Sequence, residues 1–228
     1  MRIFSRREPI AQPLHPRDAI EYRIFIGKGT KNTVSLLTDL RIRCFREYPH
    51  LYDGNRDNEY EKEVAQELYR SQHTTIVTAY YDGTIVGFTT AFPLISAANI
   101  LDENVAKFAQ RGHRPSALYY WSEAAIAPEF RGYNILPRFS EYIEARAVHW
   151  GYTHICLATI VRDDNDPRKP PGHKDPGSLW RRFGYMRTDI QFNYRWPTLR
   201  QDGSTYYAFN KHTLWLKCDL RDRKGKRA

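Results

Sequence analysis

The stretch Ala124-Ala125-Ile126-Ala127-Pro128-Glu129-Phe130-Arg131-Gly132-Tyr133-Asn134-Ile135-Leu136-Pro137 fixes the fold class of this chain. An apolar run ends at Pro128, and a tight turn holding Arg131 and Gly132 follows. A helical period then begins near Asn134 or Ile135 and runs through Phe139, Tyr142, Ile143, Ala147 and Trp150 to Gly151. Pro137 is tolerated in the first turn, where amides have no intrahelical acceptor. Such a strand, turn and helix leave several N–H groups beside the positive end of the helix dipole, a site suited to a pyrophosphate.

Outward from that junction the elements follow one another in short order. Residues 21–29 alternate as a first strand, and Val34, Leu36, Leu37, Leu40, Ile42 and Phe45 recur at helical spacing behind a capping Asn32. Tyr48 to Gly54 breaks that helix, and Asp57 or Asn58 starts a second one that ends near Ser71. Residues 74–94 read as a hairpin about Asp82-Gly83, residues 103–110 as a short helix, and residues 117–128 as a strand rich in aromatics. Residues 153–160 form a compact apolar strand, followed by a long loop dense in proline and charge. A short helix over 178–184 and two late strands, 185–196 and 213–220, complete the set. The expected architecture is α/β, an α+β mixed sheet: a central, twisted, mostly antiparallel sheet of about seven strands with helices on both faces. The boundaries are an irregular leader over 1–20, one domain over 21–220, and a basic tail over 221–228.

The 228 residues are 41% hydrophobic and 27% charged, enough for one sizeable core and against a wholly disordered chain. No run approaches the roughly 20 apolar residues of a membrane span, and the N-terminus lacks a signal-like apolar run, so a cytoplasmic protein with no membrane association is expected. Cys44, Cys156 and Cys218 are odd in number and far apart, and the eight histidines form no ligand cluster. Neither disulfides nor a metal is expected. Of the net charge of +9, residues 221–228 carry +4 and residues 1–20 carry +2, leaving +3 for the domain. That distribution favours frayed basic ends over a nucleic-acid footprint.

The Pro128-Glu129-Phe130-Arg131 step into Gly132, Asn134 and Leu136 resembles the acyl-CoA motif of the GNAT superfamily, Arg-x-x-Gly-x-Gly/Ala opening a helix. Asn134 stands where glycine is expected and Leu136 where Gly or Ala is usual. Asn enters left-handed geometry more readily than most residues, whereas Leu136 narrows the space a cofactor needs. Ser178 to Tyr185 is similar to the family's late helix along the cofactor arm.

The resemblance implies an N-acetyltransferase that moves an acetyl or short acyl group from acetyl-CoA to a primary amine, by direct attack in a ternary complex. Ile126 and Ala127 would pair with the pantetheine arm, Arg131, Gly132, Tyr133, Asn134, Ile135 and Leu136 would cradle the diphosphate, and Asn165 and Trp180 would touch the arm. Glu123, five residues before Pro128, matches the family's general base. In so apolar a strand it faces a wet cleft or is strained by desolvation. Trp180 stands where the family's tyrosine protonates the departing thiolate, so either water serves, a different phenol such as Tyr185 reaches in as the acid, or the thiolate leaves unassisted. Acceptor contacts fall on Tyr48, Tyr52, Asp53, His173 and Tyr194, an aromatic wall that suits an amine. The acceptor would be a small-molecule or peptide amine, and a homodimer is among the assemblies allowed. Two other functions fit: a silent GNAT-fold module that binds acyl-CoA or a protein, favoured by Leu136 and Trp180, and a nucleic-acid binder using the basic termini.

Overall fold

The computed structural model describes residues 19–96 and 102–220. The basic tail, and all but the last two residues of the expected leader, lie outside the described residues.

Seven strands form one sheet in the order β1-β2-β3-β4-β5-β7-β6. The strands are β1 (Glu21–Ile26), β2 (Thr75–Tyr81), β3 (Thr84–Pro93), β4 (Leu118–Ile126), β5 (His154–Ile160), β6 (Met186–Leu199) and β7 (Thr205–Lys217). Only β4 and β5 run parallel; the other neighbours are antiparallel. The helices are α1 (Lys31–Phe45), α2 (Glu59–Tyr69), α3 (Asp102–Gln110), α4 (Ile135–His149) and α5 (Gly177–Arg182). Successive strand residues point to opposite faces. Arg41 of α1 lies over the Phe88 ring, while a Cβ on the adjacent Gly87 would meet Phe139 of α4 at 3.4 Å, so α1 and α4 cover opposite faces.

Local chemistry accounts for most element boundaries. Asp82 and Gly83 both take positive φ, 47° and 72°, the geometry of the tightest hairpin turn. The Asn58 side chain accepts from Glu61 N at 2.8 Å and caps α2. Asn32 is not the cap of α1: a 3-10 turn over Gly27–Thr30 leads in and Thr30 holds the N-cap position. The buried stripe of α1 is Val34, Leu37, Leu40, Arg41 and Cys44, with Leu36 turned to solvent at 61% exposure. The last strand begins at Thr205 rather than Thr213, because β6 and β7 pair along the whole hairpin from Leu199↔Thr205 to Met186↔Leu216.

One irregularity shapes the cleft. The β3–β4 register passes from Thr90↔Glu123 to Ala91↔Trp121, leaving Ser122 as a bulge. The β4–β5 pairing stops at that point, after Trp121↔Leu157, while β5 keeps pairing with β7 as far as Ile160↔His212. The two parallel strands therefore splay, and the edge of β4 beyond Trp121 opens onto a cleft.

Candidate active site

The junction that opened the sequence forms one end of this cleft. After β4, a 3-10 turn over Pro128–Phe130 leads to Gly132 at φ +85°, and Asn134 holds the N-cap of α4 in the left-handed region at φ 67°. Left-handed geometry at these two positions turns successive amides outward. Among the described residues, the amides of Gly132, Asn134, Ile135 and Leu136 have no acceptor. A Cβ on Gly132 would meet nothing within 4 Å, so the approach to these amides is open. A cavity of about 770 Å³ faces them, lined also by Ile126, Arg131, Pro137, Trp180 and Arg182. Arg131 is tied to Glu47 at 2.8 Å and to the Ile126 carbonyl at 3.3 Å, which props the turn in place.

The cleft continues through the splay, where Ser122, Glu123 and Ala124 face Leu157, Ala158, Thr159 and Ile160 with Trp180 and His173 at the sides. Trp180 stands edge-on to Trp121 at 5.3 Å, and its buried Nε1 has no partner among the described residues. An unused donor at that depth fits a ligand bearing an acceptor. The open amides and the splayed strand edge have the kind of donors that a diphosphate and a peptide-like arm such as those of coenzyme A would use.

At the inner end stands Glu123, its side chain 10% exposed. Arg41 grips it from α1 in a fork, Nε to Oε1 at 2.9 Å and Nη2 to Oε2 at 3.1 Å, and reaches Glu61 with Nη1 at 2.8 Å. Tyr52 then donates to Glu61 at 2.8 Å. Burial works against the charge of Arg41, but the carboxylates of Glu123 and Glu61 outweigh it and raise its pKa further. The Glu123 carbonyl accepts from Thr89 Oγ1 at 2.6 Å and from Trp121 Nε1 at 3.2 Å, so the backbone is fixed as well. Glu123 is therefore not a lone carboxylate stranded in an apolar strand; its charge is matched by a buried guanidinium.

The structure gathers most, but not all, of the residues expected from sequence. Ile126, Arg131, Gly132, Asn134, Ile135, Leu136, Trp180 and Tyr48 line the outer cleft. His173 lies by the splay and Tyr52 and Tyr194 in the inner cavity. Five residues fall elsewhere. Ala127 is buried and its amide donates to the Val86 carbonyl, so it closes the β3 ladder. The Tyr133 ring lies 6.2 Å from that of Phe130 and is not on the cleft wall. Asn165 sits in an Asx turn with Asp163, on a separate surface hollow. Asp53 is engaged by Arg46 and Thr205. Tyr185 is 2% exposed, packed between Trp121, Trp180 and Lys217, and lines none of the cleft, so it is set aside as the acid.

Sequence reasoning passed over Arg41, Glu61 and Glu67. The signal was present: Arg41 follows Val34 by seven and Leu37 by four, and Glu61 precedes Val64 and Leu68 by three and seven. A charge inside an apolar stripe marks a buried, partnered group.

The model of the family described as Acetyltransferase (GNAT) family matches residues 35–170. No curated sequence is significantly similar to the chain. Among solved structures, an N-acetyltransferase from Staphylococcus aureus Mu50 aligns with a TM-score of 0.54 at 12% identity, over 88% of this chain and 99% of that one. A polyamine N-acetyltransferase from Drosophila melanogaster aligns at 0.53 and 15% identity, over 87% and 99%. The protein yncA of Salmonella typhimurium, solved with its cofactor acetyl-CoA, aligns at 0.51 and 13% identity, over 90% and 95%. At such identities the structures establish the fold, and the family match, spanning more than half of the 228 residues, establishes the kinship: the chain belongs to the GNAT acetyltransferase family.

Proposed function

We propose that this protein is an N-acetyltransferase that transfers an acetyl or short acyl group from acyl-CoA to a primary amine, by direct attack within a ternary complex. The observation that carries the reading is the continuous cleft: open amides at the start of α4, the parted edges of β4 and β5, and Glu123 where the two meet. Bound there, the coenzyme supplies the activated acyl group. The amides of Gly132, Asn134, Ile135 and Leu136 hold its diphosphate, and the β4 edge and Trp180 orient its arm. A main-chain N–H on the splayed edge would polarise the thioester carbonyl and stabilise the developing oxyanion. Glu123 accepts the proton that the attacking ammonium must lose, directly or through water. Arg41 positions that carboxylate with two parallel bonds rather than leaving it to swing. With Tyr185 in the core, the departing sulfur draws its proton from water in the cleft.

Calorimetry with coenzyme A and thiol release from acetyl-CoA over a panel of primary amines test this reading. Saturable binding and amine-dependent release are expected; absence of any heat with coenzyme A would overturn it. A second reading, a binding module without turnover, is favoured by the Arg41 fork, which competes for the lone pairs a base needs. Binding without release on any amine would select it. The nucleic-acid reading rests on termini outside the described residues and gains nothing from the cleft.

A further inference from the structure

Beyond Glu123 the cleft narrows into a cavity of about 100 Å³ that has no counterpart in the steps above. Its walls are aromatic, among them Tyr60, Phe92, Tyr120, Tyr194 and Trp196, and Glu67 of α2 closes its side. Glu67 is the unusual member. Its Oε1 is buried with no hydrogen-bond partner among the described residues. Burial pushes the carboxyl up to about 7, outweighing the positive charge of Arg70, with which Glu67 forms no ion pair among the described residues. Glu67 is half-buried as a residue, but an unpartnered carboxylate oxygen in the interior costs free energy, which a cationic ligand offsets. Aromatic walls of this kind suit a cation, which is attracted to ring faces. The same rings and carboxylate repel an anion, and a hydrocarbon there would leave Glu67 uncompensated.

Size narrows the occupant further. A cavity of roughly 150 Å³ holds benzene, so this one admits an extended alkyl arm and not a folded peptide. The cavity and the splay share Ser122, Glu123, Ala158 and Ile160, so one molecule can span both. On the acyl-transfer reading, we infer that the acceptor is a small dication of the diamine type. Its reacting amine lies at the β4–β5 opening beside Glu123, and its second ammonium lies against Glu67 within the aromatic walls. Glu67 is thus a specificity residue: it selects the acceptor by its far end and takes no part in the proton transfer.

The test compares 1,4-diaminobutane and 1,5-diaminopentane with butylamine and pentylamine at pH 8, where Glu67 is ionised. Thiol release from acetyl-CoA is read as kcat/KM. A charge-assisted contact corresponds to about a 10-fold preference or more, so the wild type should favour each diamine over its matched monoamine by that factor. In Glu67→Gln the ratio should fall to near 1, and Glu67→Asp should retain part of it. Calorimetry of 1,5-diaminopentane on the protein saturated with coenzyme A gives a reading independent of turnover, with affinity expected to weaken about 10-fold in Glu67→Gln. Equal rates for diamines and monoamines in the wild type, or a ratio unchanged by Glu67→Gln, would overturn the inference. Loss of coenzyme A binding in the wild type would instead strike the acyl-transfer reading, which keeps the two failures apart.

Discussion

Arg41 joins three parts of the molecule through one side chain: α1, which carries it, β4 through Glu123, and α2 through Glu61. Removing one member of a buried pair leaves the other charge stranded, typically at a cost of about 3–5 kcal/mol. Arg41→Met should therefore lower the unfolding free energy in urea by about that amount. Arg41→Lys keeps the charge but loses the fork, since an ammonium is a point charge without bidentate geometry. We expect Arg41→Lys to fold, to bind coenzyme A, and to lose kcat more than KM in thiol-release kinetics. Glu123→Gln removes the proton acceptor and should lower kcat/KM by roughly 10²- to 10⁴-fold, with coenzyme A affinity by calorimetry little changed. A fall of less than about 10-fold would shift the proton acceptor to another group. Glu123 was legible in the sequence because a carboxylate in the run Tyr119 to Ile126 stands out. That Arg41 is its partner was not, because the pairing crosses 82 residues and the helical period marks Arg41 only as buried.

At the scale of elements, the start of α4 carries the family resemblance and its departure from it. Asn134 occupies a glycine position with φ 67° and contributes no side-chain cap. Left-handed geometry costs a non-glycine residue on the order of 1–2 kcal/mol, less for Asn. Asn134→Gly should therefore leave coenzyme A affinity intact and stability within about 1 kcal/mol. Asn134→Val, β-branched where φ is positive, should lose about 1–3 kcal/mol and weaken coenzyme A binding, read by thermal melting with and without the nucleotide. Elements with a local cause were readable. The Asp82-Gly83 hairpin and the Asn58 cap each follow from a few adjacent residues. Thr205 to His212 carries no clean alternation in the sequence, because the adjacent Tyr206 and Tyr207 fall on opposite faces of a strand. Pairing with β6 holds that segment extended regardless of its own pattern. The Ser122 bulge that opens the cleft was equally hidden, since a bulge is a relation between two strands.

For the whole molecule, the buried titratable groups pull the stability curve in two directions. Burial, before any neighbouring charge, lowers His50 to about 3 and His212 to about 4, and it lowers His154 as well. In the unfolded chain these imidazoles take up protons below their ordinary value near 6.5, while the folded protein refuses them. Stability from the imidazoles is therefore complete above pH 6.5 and is lost as pH falls toward 4, on the order of 2–3 kcal/mol for the buried His212 ring and less for the half-buried His50 beside the cleft. Glu67, raised to about 7 by burial, acts with the opposite sign. The folded protein holds that proton up to pH 7 whereas the unfolded chain releases it near 4.5, so stability falls as pH rises between those values. Burial raises Glu61 in the same direction, with Arg41 offsetting it. Three imidazoles against two carboxyls give a curve that climbs from pH 4 to about 6.5 and then dips slightly toward pH 7.5. Glu67→Gln isolates one component: it should leave stability near pH 4.5 unchanged and raise it at pH 7.5 by on the order of 1–3 kcal/mol, read from urea midpoints at the two pH values. A diamine bound at Glu67 should raise wild-type stability at pH 7.5 and have far less effect at pH 4.5, where the carboxyl is already neutral. If the variant gains nothing at pH 7.5, the Glu67 carboxylate already has a partner in the folded chain, and the cavity beside it has no charge left to offer an acceptor.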